Sequence, residues 1–453
     1  MKNYLIIFVF LLPIVTFPQC WTKVVVGAYH TIAIKQDGTL WAWGSNIFGQ
    51  IGDGTLETKT SPTQIGTDTN WVSISANAAH NSAIKSNGTL WSWGENDYGQ
   101  LGDNSRIHRN VPTQVGVDTN WATVECGIFH CVALKTDGSL WAWGRNYDGQ
   151  LGNNTYTDSQ FPIRIGTTNS WLKITAGVNF SVALQDNGSL WAWGDGYHGT
   201  MGQGDDQPKR VPTRIGSSNS WREISATGYQ VLAIRNDNTL WAWGRNDKGQ
   251  IGNGTTVNVY APQQIGLDTD WQTVAAGYFH SIAIKQNYSL WAWGDNFEGK
   301  LGTGNFTRLT IPTQVGTDLN WRAAKASFGH TTAIKLDNSL WAAGLNGQYQ
   351  LAQPDNNIDF NTFVGVSCTS LSLQKFNGKD FSIYPNPATY KLNIQVKNNL
   401  KVDSIAIFDV LGKKIIEKDT DFNTIDVENF KTGVYFVKIY SDRKSFQEKF
   451  VKE

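Results

Sequence analysis

A five-residue stretch at positions 40–44, reading Leu-Trp-Ala-Trp-Gly, constrains the fold of this chain most. Its first tryptophan recurs at an unbroken spacing of 50 residues, at Trp41, Trp91, Trp141, Trp191, Trp241, Trp291 and Trp341. Another tryptophan opens each unit, at Trp21, Trp71, Trp121, Trp171, Trp221, Trp271 and Trp321. All 20 tryptophans fall in these patterned positions, and Ala343 replaces the last of them. Seven copies of one unit predict a repeat architecture in which each unit packs on its neighbours.

Short apolar or β-branched runs alternate with turn signals inside each unit. In the first unit the runs cover residues 23–27, 31–35, 40–43 and 62–65. Asp37-Gly38 separates the second run from the third and is a strong hairpin signal. Pro62 stands first in the fourth run, where a missing backbone N–H is tolerated. The unit is therefore predicted to be a four-stranded antiparallel meander.

The third run is apolar on both sides of its strand. Successive side chains point to opposite faces, so Trp41 and Trp43 lie on one side and Leu40 and Ala42 on the other. Each sheet must then be covered on both faces, which radial stacking of seven sheets achieves. We predict an all-β fold, with a seven-bladed β-propeller of four-stranded antiparallel blades over residues 20–370.

The unit also resembles a known repeat. It lacks the paired glycines of kelch repeats and the Trp-Asp signature of WD repeats, but it is similar to the regulator of chromosome condensation repeat. The residues that carry the resemblance are Gly27, His30, Ala33, Asp37, Gly38, Leu40, Trp43, Gly44, Asn46, Gly49, Gln50, Ile51 and Gly52. The resemblance covers about residues 21–366 and implies a ring of seven blades. Blade seven departs from it at Ala343, Tyr349 and Ala352, which predicts looser packing where the ring closes.

Closure of the ring requires an additional interaction between the first and last blades, because the seventh unit ends near Val366 and leaves no spare strand to pair across the junction. Subtracting seven periods puts Cys368 two residues from Cys20 in the repeat frame, so the two would be neighbours in a closed ring. An exported protein meets oxidising conditions that permit a disulfide. We predict a Cys20–Cys368 bond, which fails if Cys20 is lipidated instead.

The other two cysteines, Cys126 and Cys131, flank the turn of one hairpin in the third unit. The sequence leaves open whether they bridge across that turn or remain thiols. Their spacing offers no second pair of ligands, which disfavours zinc. We therefore expect no metal and no cofactor.

The N-terminus predicts export. Lys2 precedes an apolar run over residues 4–15, which is too short for a permanent membrane span, so a cleaved signal peptide is predicted over residues 1–19. A lipoprotein signal ending at Cys20 is the alternative, although Phe17 and Gln19 stand where small residues are usual. The mature chain is expected to be a monomer with no integral membrane segment. Its 38 basic and 38 acidic residues balance, which disfavours nucleic acid as a partner.

After a polar linker predicted over residues 371–380, the tryptophan pattern stops and a second domain begins. Apolar residues alternate there in three runs, at Leu392, Ile394 and Val396, at Ile405 and Ile407, and at Tyr435, Val437 and Ile439. Turn residues separate the runs. The alternation predicts a small β-sandwich over residues 381–453.

This tail closely resembles the C-terminal sorting domain of the type IX secretion system of Bacteroidetes. The residues that carry the resemblance include Tyr384, Pro385, Asn386, Pro387, Gly412, Lys413, Gly433, Tyr435 and Lys438. It implies recognition by that secretion machinery, passage across the outer membrane, and release from the surface of a Gram-negative bacterium or anchoring on it. An ordinary adhesive β-sandwich is the alternative.

One face of the predicted ring varies between units and the other does not. The hairpin turns after the second strands read Asp-Gly or Asn-Gly in most units. The long loops after the third strands differ throughout, as at residues 53–61, 104–111 and 203–211. Because binding residues concentrate on variable loops held by a rigid scaffold, a specific binding site is expected on this face.

That face carries aromatic residues at loop positions, which are typical anchors for protein partners or sugar rings. The candidates are Tyr29, Phe48, Tyr98, Phe129, Tyr147, Tyr197, Tyr229, Tyr278, Phe279, Phe297 and Phe328. The alternative is that about half of them fold inward and cap the blades. One secreted member of the repeat family, a β-lactamase inhibitor, grips another protein with its loop face, which favours a protein partner by analogy.

Two further patterns have structural interpretations. Histidine recurs at His30, His80, His130, His280 and His330, but residues spread around a ring cannot converge on one ion, so hydrogen bonding is expected. Gly194, Gly196 and Gly199 match the dinucleotide fingerprint by letter, but no helix is expected to follow them, so nucleotide binding is disfavoured.

No catalytic arrangement is visible, so we predict that the chain is not an enzyme. Glu95, Asp195 and Asp295 share one position after the tryptophan pair, but they lie in alternate blades and are expected to be solvated rim charges. The predicted function is a secreted or surface-displayed binding propeller that recognises an extracellular protein through its variable loops. A glycan-binding or glycan-cleaving protein is the alternative, and a purely structural surface protein is the third.

Overall fold

Tight turns on the invariant face divide each repeat into strands. In the first repeat, Asp37 Oδ1 accepts hydrogen bonds from the backbone N and the Oγ1 of Thr39, at 3.0 and 2.6 Å. Gly38 adopts a φ of +77°, and a Cβ on it would lie 2.0 Å from the carbonyl oxygen of Thr69. A side chain at Gly38 would therefore have to displace the link to the next blade.

The computed structural model describes residues 20–368, 381–396, 402, 404–409, 413–421, 423–441 and 444–453. The chain divides into two units, Met1–Ser370 and Leu371–Glu453. The predicted signal peptide and linker lie outside the described residues.

The first unit contains seven sheets of four strands each. Blade one consists of β1 (Trp21–Val26), β2 (His30–Lys35), β3 (Leu40–Gly44) and β4 (Lys59–Ile65). Blade two consists of β5 (Trp71–Asn77), β6 (His80–Lys85), β7 (Leu90–Gly94) and β8 (Arg109–Gln114). Blade three consists of β9 (Trp121–Cys126), β10 (His130–Lys135), β11 (Leu140–Gly144) and β12 (Ser159–Arg164). Blade four consists of β13 (Trp171–Ala176), β14 (Phe180–Gln185), β15 (Leu190–Gly194) and β16 (Lys209–Arg214).

The remaining three blades repeat this arrangement. Blade five consists of β17 (Trp221–Ala226), β18 (Gln230–Arg235), β19 (Leu240–Gly244) and β20 (Val259–Gln264). Blade six consists of β21 (Trp271–Ala276), β22 (His280–Lys285), β23 (Ser289–Gly294) and β24 (Leu309–Leu319). Blade seven consists of β25 (Trp321–Ala326), β26 (His330–Lys335), β27 (Leu340–Gly344) and β28 (Phe360–Val366). In every blade the strands pair in chain order and antiparallel, which confirms the predicted meander.

The core lies between blades rather than inside them. Trp21, Trp41 and Trp43 of blade one pack with Leu340 and Val366 of blade seven in one buried cluster. The opposite side of blade one packs in the same way against the tryptophans of blade two. Since both faces of each sheet are covered by a neighbour, the seven-bladed propeller is confirmed. The first strands of neighbouring blades contact one another and line the axis.

The disulfide between Cys20 and Cys368 is formed, as predicted, and joins the start of blade one to the end of blade seven. Hydrogen bonds across this junction repeat those of the others. Trp43 Nε1 donates to the carbonyl oxygen of Gln350 at 2.9 Å, as Trp93 Nε1 donates to that of Gln50 at 3.0 Å.

Blade seven does not pack loosely at Ala343, contrary to expectation. Phe363 of β28 lies 5.2 Å from the Trp321 ring, centroid to centroid. A Cβ on Gly302 would meet the Phe363 ring at 2.5 Å, whereas one on Gly252 would meet Trp293 at 2.7 Å. Phe363 therefore fills, from the fourth strand, the volume that a second tryptophan fills in the other blades.

The second unit contains two sheets. One has three strands, β29 (Phe381–Tyr384), β30 (Lys391–Val396) and β33 (Thr424–Asp426). The other has four, in the order β32 (Lys414–Lys418), β31 (Ser404–Asp409), β34 (Gly433–Ser441) and β35 (Lys444–Lys452). Leu392 and Ile394 from one sheet and Ile405, Val437 and Phe450 from the other share one buried core. This arrangement confirms the predicted small β-sandwich.

Candidate binding face

Two sets of loops form the variable face of the ring, namely the turns between the first and second strands and the long loops between the third and fourth. In blade one these are residues 27–29 and 45–58. The long loop is held from inside. Asn46 Oδ1 accepts a hydrogen bond from the backbone N of Ile51 at 2.9 Å, and its Nδ2 donates to the carbonyl oxygen of Thr55 at 3.0 Å. Gln50 Oε1 accepts from the backbone N of Phe48 at 2.9 Å.

These internal bonds recur around the ring. The equivalent asparagines that accept from the backbone are Asn96, Asn146, Asn246, Asn296 and Asn346. Blade four has Gly196 instead, where a Cβ would lie 2.4 Å from the carbonyl oxygen of Gln207. Six of the seven loops therefore share the same buried asparagine while their outer residues vary, so the face presents different side chains in fixed positions.

The eleven aromatic residues predicted as anchors divide into two groups by exposure. Tyr29, Tyr147, Tyr197 and Phe297 are exposed, to 41, 72, 60 and 80%. The partly buried members are Phe48, Tyr98, Phe129, Tyr229, Phe279 and Phe328, and Tyr278 belongs with them. For the aromatic residues in the long loops, the position in the loop decides whether the ring is exposed or partly buried. The exposed Tyr147, Tyr197 and Phe297 stand one residue before the position that the partly buried Phe48 and Tyr98 occupy. This one-residue difference was not recognised in the sequence.

Together with the exposed Tyr29, several partly buried rings form a continuous arc over blades four to seven and one. Tyr29 lies 6.0 Å from Phe328, and Phe328 lies 5.5 Å from Tyr278, measured between ring centroids. Tyr278 lies 6.0 Å from Tyr229, which lies 5.6 Å from His198. Burial, and then the neighbouring Tyr278, raise the pKa of the Tyr229 hydroxyl to about 12. Burial also raises the pKa of Tyr278, so these two tyrosines present apolar rings with neutral hydroxyl groups.

A smaller cluster covers blades two and three. Tyr98 and Phe129 lie 4.9 Å apart, and the guanidinium of Arg145 lies 5.3 Å from the Tyr98 ring and 5.6 Å from the exposed Tyr147 ring. Arginine stacked on aromatic rings is held in place for a partner. Nothing in the sequence pattern distinguishes Arg145 or His198, although Arg145 stands two residues before Tyr147 and His198 directly follows Tyr197.

The three acidic residues of the shared loop position are not freely solvated, which corrects the expectation. Burial raises the pKa of Glu95 and that of Asp195. Burial and then the charge of Asp195 also raise the pKa of Asp148. Asp295 Oδ2 lies 2.7 Å from the Nζ of Lys300, a buried lysine. The position is partly buried because the third strand has just ended and the long loop covers it.

A pocket of about 290 Å³ opens on the variable face over blades six and seven. Phe279, Phe297 and Phe328 line it, and Lys300 contributes an ammonium group that also lies 2.5 Å from Glu298 Oε2. Lys300 stands where five of the other repeats have the loop-holding glutamine. A second cavity of about 290 Å³ lies on the axis, where Lys173 Nζ lies 2.5 Å from Glu223 Oε2.

The recurring histidines form hydrogen bonds between blades. His30 Nε2 lies 2.7 Å from Asn81 Oδ1 of the next blade, and His130 Nε2 lies 3.0 Å from Ser181 Oγ. His280 and His330 make the same contact with Thr331 and Thr31. Burial lowers the pKa of His30 to about 4 and that of His130 to about 3, so both stay neutral. Where Phe180 replaces histidine, Val231 of the next blade replaces its polar partner, and both are fully buried.

The glycines that match the dinucleotide fingerprint do not begin an α-helix. Gly194 ends β15, and the segment after it contains a single 3₁₀ turn, Tyr197–Gly199. Without a helix N-terminus there is no anion site of the dinucleotide-binding type at this position.

Cys126 and Cys131 are buried free thiols at directly paired positions of β9 and β10. His80 of the preceding blade approaches them, with its Nε2 3.4 Å from Cys131 Sγ.

In the second unit, the Asn386 side chain is hydrogen-bonded to β35 in both directions, donating to the carbonyl oxygen of Lys449 and accepting from the backbone N of Val451. Gly412 lies outside the described residues.

The fold and the loop face define a class of protein, namely a closed β-propeller that displays variable loops on one face. Comparison with protein families identifies the family. The RCC1-like domain matches residues 107–382, and the regulator of chromosome condensation repeat matches residues 21–50, 71–100 and 37–84. The first match covers more than half of the chain, so the chain belongs to the RCC1-like domain family.

Solved structures share this fold at low sequence identity. The structure of human WBSCR16 is 19% identical, covers 73% of this chain and 94% of its own, and superposes with a TM-score of 0.66. That of Prp20p from Saccharomyces cerevisiae, reported with its binding to Gsp1p and histones, is 20% identical over 78% of this chain and 90% of its own, also at 0.66. These similarities show the fold alone.

Two curated proteins match a short part of the chain. The ulvan lyase NLR42 of Nonlabens ulvanivorans is 27% identical over 99 residues, which is 21% of this chain and 18% of the lyase. The endo-acting ulvan lyase of Formosa agariphila is 29% identical over 100 residues, which is 21% of this chain and 19% of the lyase. The chain thus spans less than one fifth of the length of each lyase.

The tail determines the destination of the chain. The secretion system C-terminal sorting domain matches residues 382–453, which confirms the resemblance inferred from the sequence. This domain directs proteins through the type IX system of Bacteroidetes to the cell surface or the extracellular space. Among the residues that the structure describes, no helix is long and apolar enough to cross a membrane.

Proposed function

We propose that the chain is an exported, non-enzymatic binding propeller that recognises a partner protein through its variable face. The observation that carries the proposal is the exposure of Tyr147, Tyr197 and Phe297 on loops held from inside by buried side chains. Large aromatic residues exposed on rigid loops bury much area at little entropic cost when a partner binds. The aromatic arc and Arg145 extend the same surface.

A protein partner fits this surface better than a small molecule, because the exposed aromatic residues are spread over blades three, four and six. Interfaces of standard size bury roughly 800 Å² on each partner and use a few aromatic and arginine anchors. The likeness to Prp20p, whose reported partners are proteins, gives support by analogy of fold only.

Affinity capture tests the proposal. The full chain is immobilised and exposed to surface and culture-medium proteins and to a polysaccharide panel, beside a Tyr147→Ala/Tyr197→Ala/Phe297→Ala variant. The matched control carries Phe161→Ala, Val211→Ala and Ile311→Ala, three exposed apolar residues of fourth strands. A protein retained by wild type and control and lost by the first variant supports the proposal. A protein retained equally by all three contradicts it.

A glycan ligand is the second candidate, and one observation favours it. Burial, and then the charge of Asp195, raise the pKa of Asp148 beside the exposed Tyr147 and Tyr197, and a pair of carboxyl groups next to sugar-stacking rings is typical of glycan-processing sites. The short matches to ulvan lyases point the same way. Saturable retention on a polysaccharide would support binding, and turnover abolished by Asp195→Asn or Glu95→Gln would support cleavage.

A further inference from the structure

Three potential metal ligands converge in the wall between blades two and three. His80 Nε2, Cys126 Sγ and Cys131 Sγ all lie within 4.8 Å of one another. His80 Nε2 is 3.4 Å from Cys131 Sγ, and Ser82 Oγ lies 3.5 Å from Cys126 Sγ and 3.7 Å from Cys131 Sγ. Ligands bound to one tetrahedral Zn²⁺ at about 2.0–2.3 Å are about 3.5 Å apart, so small side-chain rotations suffice to surround an ion.

The repeat itself shows that this group is a local departure from the pattern. At the position of Cys126 the other blades have Val26, Ala76, Ala176, Ala226, Ala276 and Ala326. At the position of Ser82 they have Ile32, Val132, Val182, Leu232, Ile282 and Thr332. At the position of Cys131, other blades place a hydroxyl or amide group against the histidine of the preceding blade, as Ser181 does with His130 and Asn81 with His30. Packing and hydrogen bonding are thus satisfied elsewhere without sulfur, and two thiols and a hydroxyl coincide at one junction only.

The surroundings fit a closed, structural site. Cys126 and Cys131 are 4% and 0% exposed, and His80 and Ser82 are fully buried. The thiols belong to an apolar cluster that contains Val124 and Trp143. A divalent ion bound by two thiolates and a neutral imidazole carries no net charge, which limits the cost of burying it. A monovalent Cu⁺ in the same site would leave one negative charge uncompensated.

We propose that His80, Cys126 and Cys131, with Ser82 Oγ beside them, form a zinc site that fastens blade two to blade three. His80 lies on β6 and the two thiols on β9 and β10, so the ion bridges two blades at mid-ring, as the Cys20–Cys368 disulfide bridges two at the closure. Sequence spacing shows only the pair of cysteines and disfavours zinc, whereas the fold brings the third ligand from the preceding repeat. The site is buried beneath the turn between the first and second strands of blade three and does not depend on the proposed function.

The repeats also supply substitutions for a test that keeps the fold intact. Cys126→Ala introduces the residue of five other blades, and Cys131→Ser introduces the residue that accepts the same histidine contact in blade four. The full chain and this double variant are loaded with Zn²⁺ under mild reduction, dialysed against metal-free buffer, and analysed by plasma mass spectrometry. We expect about one zinc per chain for wild type and almost none for the double variant. Any ion held by Cys20 and Cys368 would appear equally in both.

Two further readouts distinguish the site from a structural thiol pair. Co²⁺ in the wild-type chain should show thiolate-to-cobalt charge-transfer absorption that the double variant lacks, and zinc should raise the melting temperature of wild type only. His80→Gln, which places the residue of blade five in this position, should weaken zinc binding at least about tenfold. Equal zinc in wild type and double variant, retention of Cu⁺ but not Zn²⁺, or a Cys126–Cys131 disulfide that binds no metal after reduction would each overturn the proposal.

Discussion

Cys20 and Cys368 are joined by a disulfide with their Cα atoms 6.2 Å apart, although 348 residues of chain separate them. All four strands of each blade are contiguous in sequence, so no strand is exchanged across the closure. The junction between blades seven and one is held instead by this bond and by contacts such as that of Trp43 Nε1 with the carbonyl oxygen of Gln350.

Loss of this disulfide should weaken the junction between blades seven and one. We expect Cys20→Ser/Cys368→Ser to lower the free energy of unfolding by about 2–5 kcal/mol, because the unfolded chain regains the freedom of a very long loop. Thermal and urea unfolding measure the change. Cys126→Ala/Cys131→Ser in metal-free buffer is the matched control, since it removes two cysteines that the structure leaves unpaired. Equal stability of the two double variants would contradict the closing role.

Phe363 should stabilise blade seven about as much as the second tryptophan of the pair stabilises each of the other blades. Phe363→Pro, which introduces the residue that the other six blades have at the paired position of the fourth strand, should cost about 3 kcal/mol by leaving the space beside Trp321 empty. Adding Ala343→Trp to it should restore much of the loss, because the pattern of the sister blades is then complete. Phe306→Ala, at an exposed loop residue, should change the melting temperature little. Failure of the second substitution to rescue stability would show that the two residues do not share one volume.

The buried histidines predict an acid-sensitive ring. Burial lowers the pKa of His30 to about 4 and those of His130 and His330 to about 3, whereas the unfolded chain titrates near 6.5. Between these values the unfolded state binds more protons than the folded state, so stability falls as pH drops from about 7 to 4. Each pKa unit corresponds to about 1.4 kcal/mol.

His130→Gln isolates this effect, because glutamine occupies the same position naturally at Gln230. The variant should lose less stability than wild type over that pH range, as measured by melting temperatures in matched buffers. Every other titrating group is common to both proteins, so the difference reports His130. Parallel curves for wild type and variant would mean that His130 does not stay neutral in the folded state.

The exposed and partly buried aromatic residues should behave differently when truncated. Alanine at Tyr147, Tyr197 and Phe297 should leave the melting temperature nearly unchanged, since these rings are mostly in solvent. Alanine at Tyr278 or Phe328, which lie 5.5 Å apart in the arc, should cost about 1–3 kcal/mol through lost packing. Comparable destabilisation by both groups would show that the first three also have a structural role.

Much of the fold follows from the sequence because the signals are local and repeated seven times. The Asp37-Gly38 turn, the Trp41 and Trp43 alternation and the fixed spacing each specify strand ends and faces, and the closing disulfide follows from frame arithmetic. The compensation of Ala343 by Phe363 does not, because it moves volume from one strand to the next across a long loop, and only the packed blade shows that the two side chains can fill the same space.

The candidate site depends on the tertiary structure more strongly. The sequence identified the loop face and its aromatic residues, but the exposure of Tyr147 and the burial of Tyr98 depend on a one-residue offset in loops whose path is set by buried asparagine and glutamine side chains. In the same way, only the packing of blade two on blade three brings His80 to Cys126 and Cys131. By itself the sequence determined the repeating blade, with its strands and turns, since periodicity and turn chemistry are local. The tertiary structure decided which side chains meet between repeats, because those contacts depend on how the blades stack around the axis.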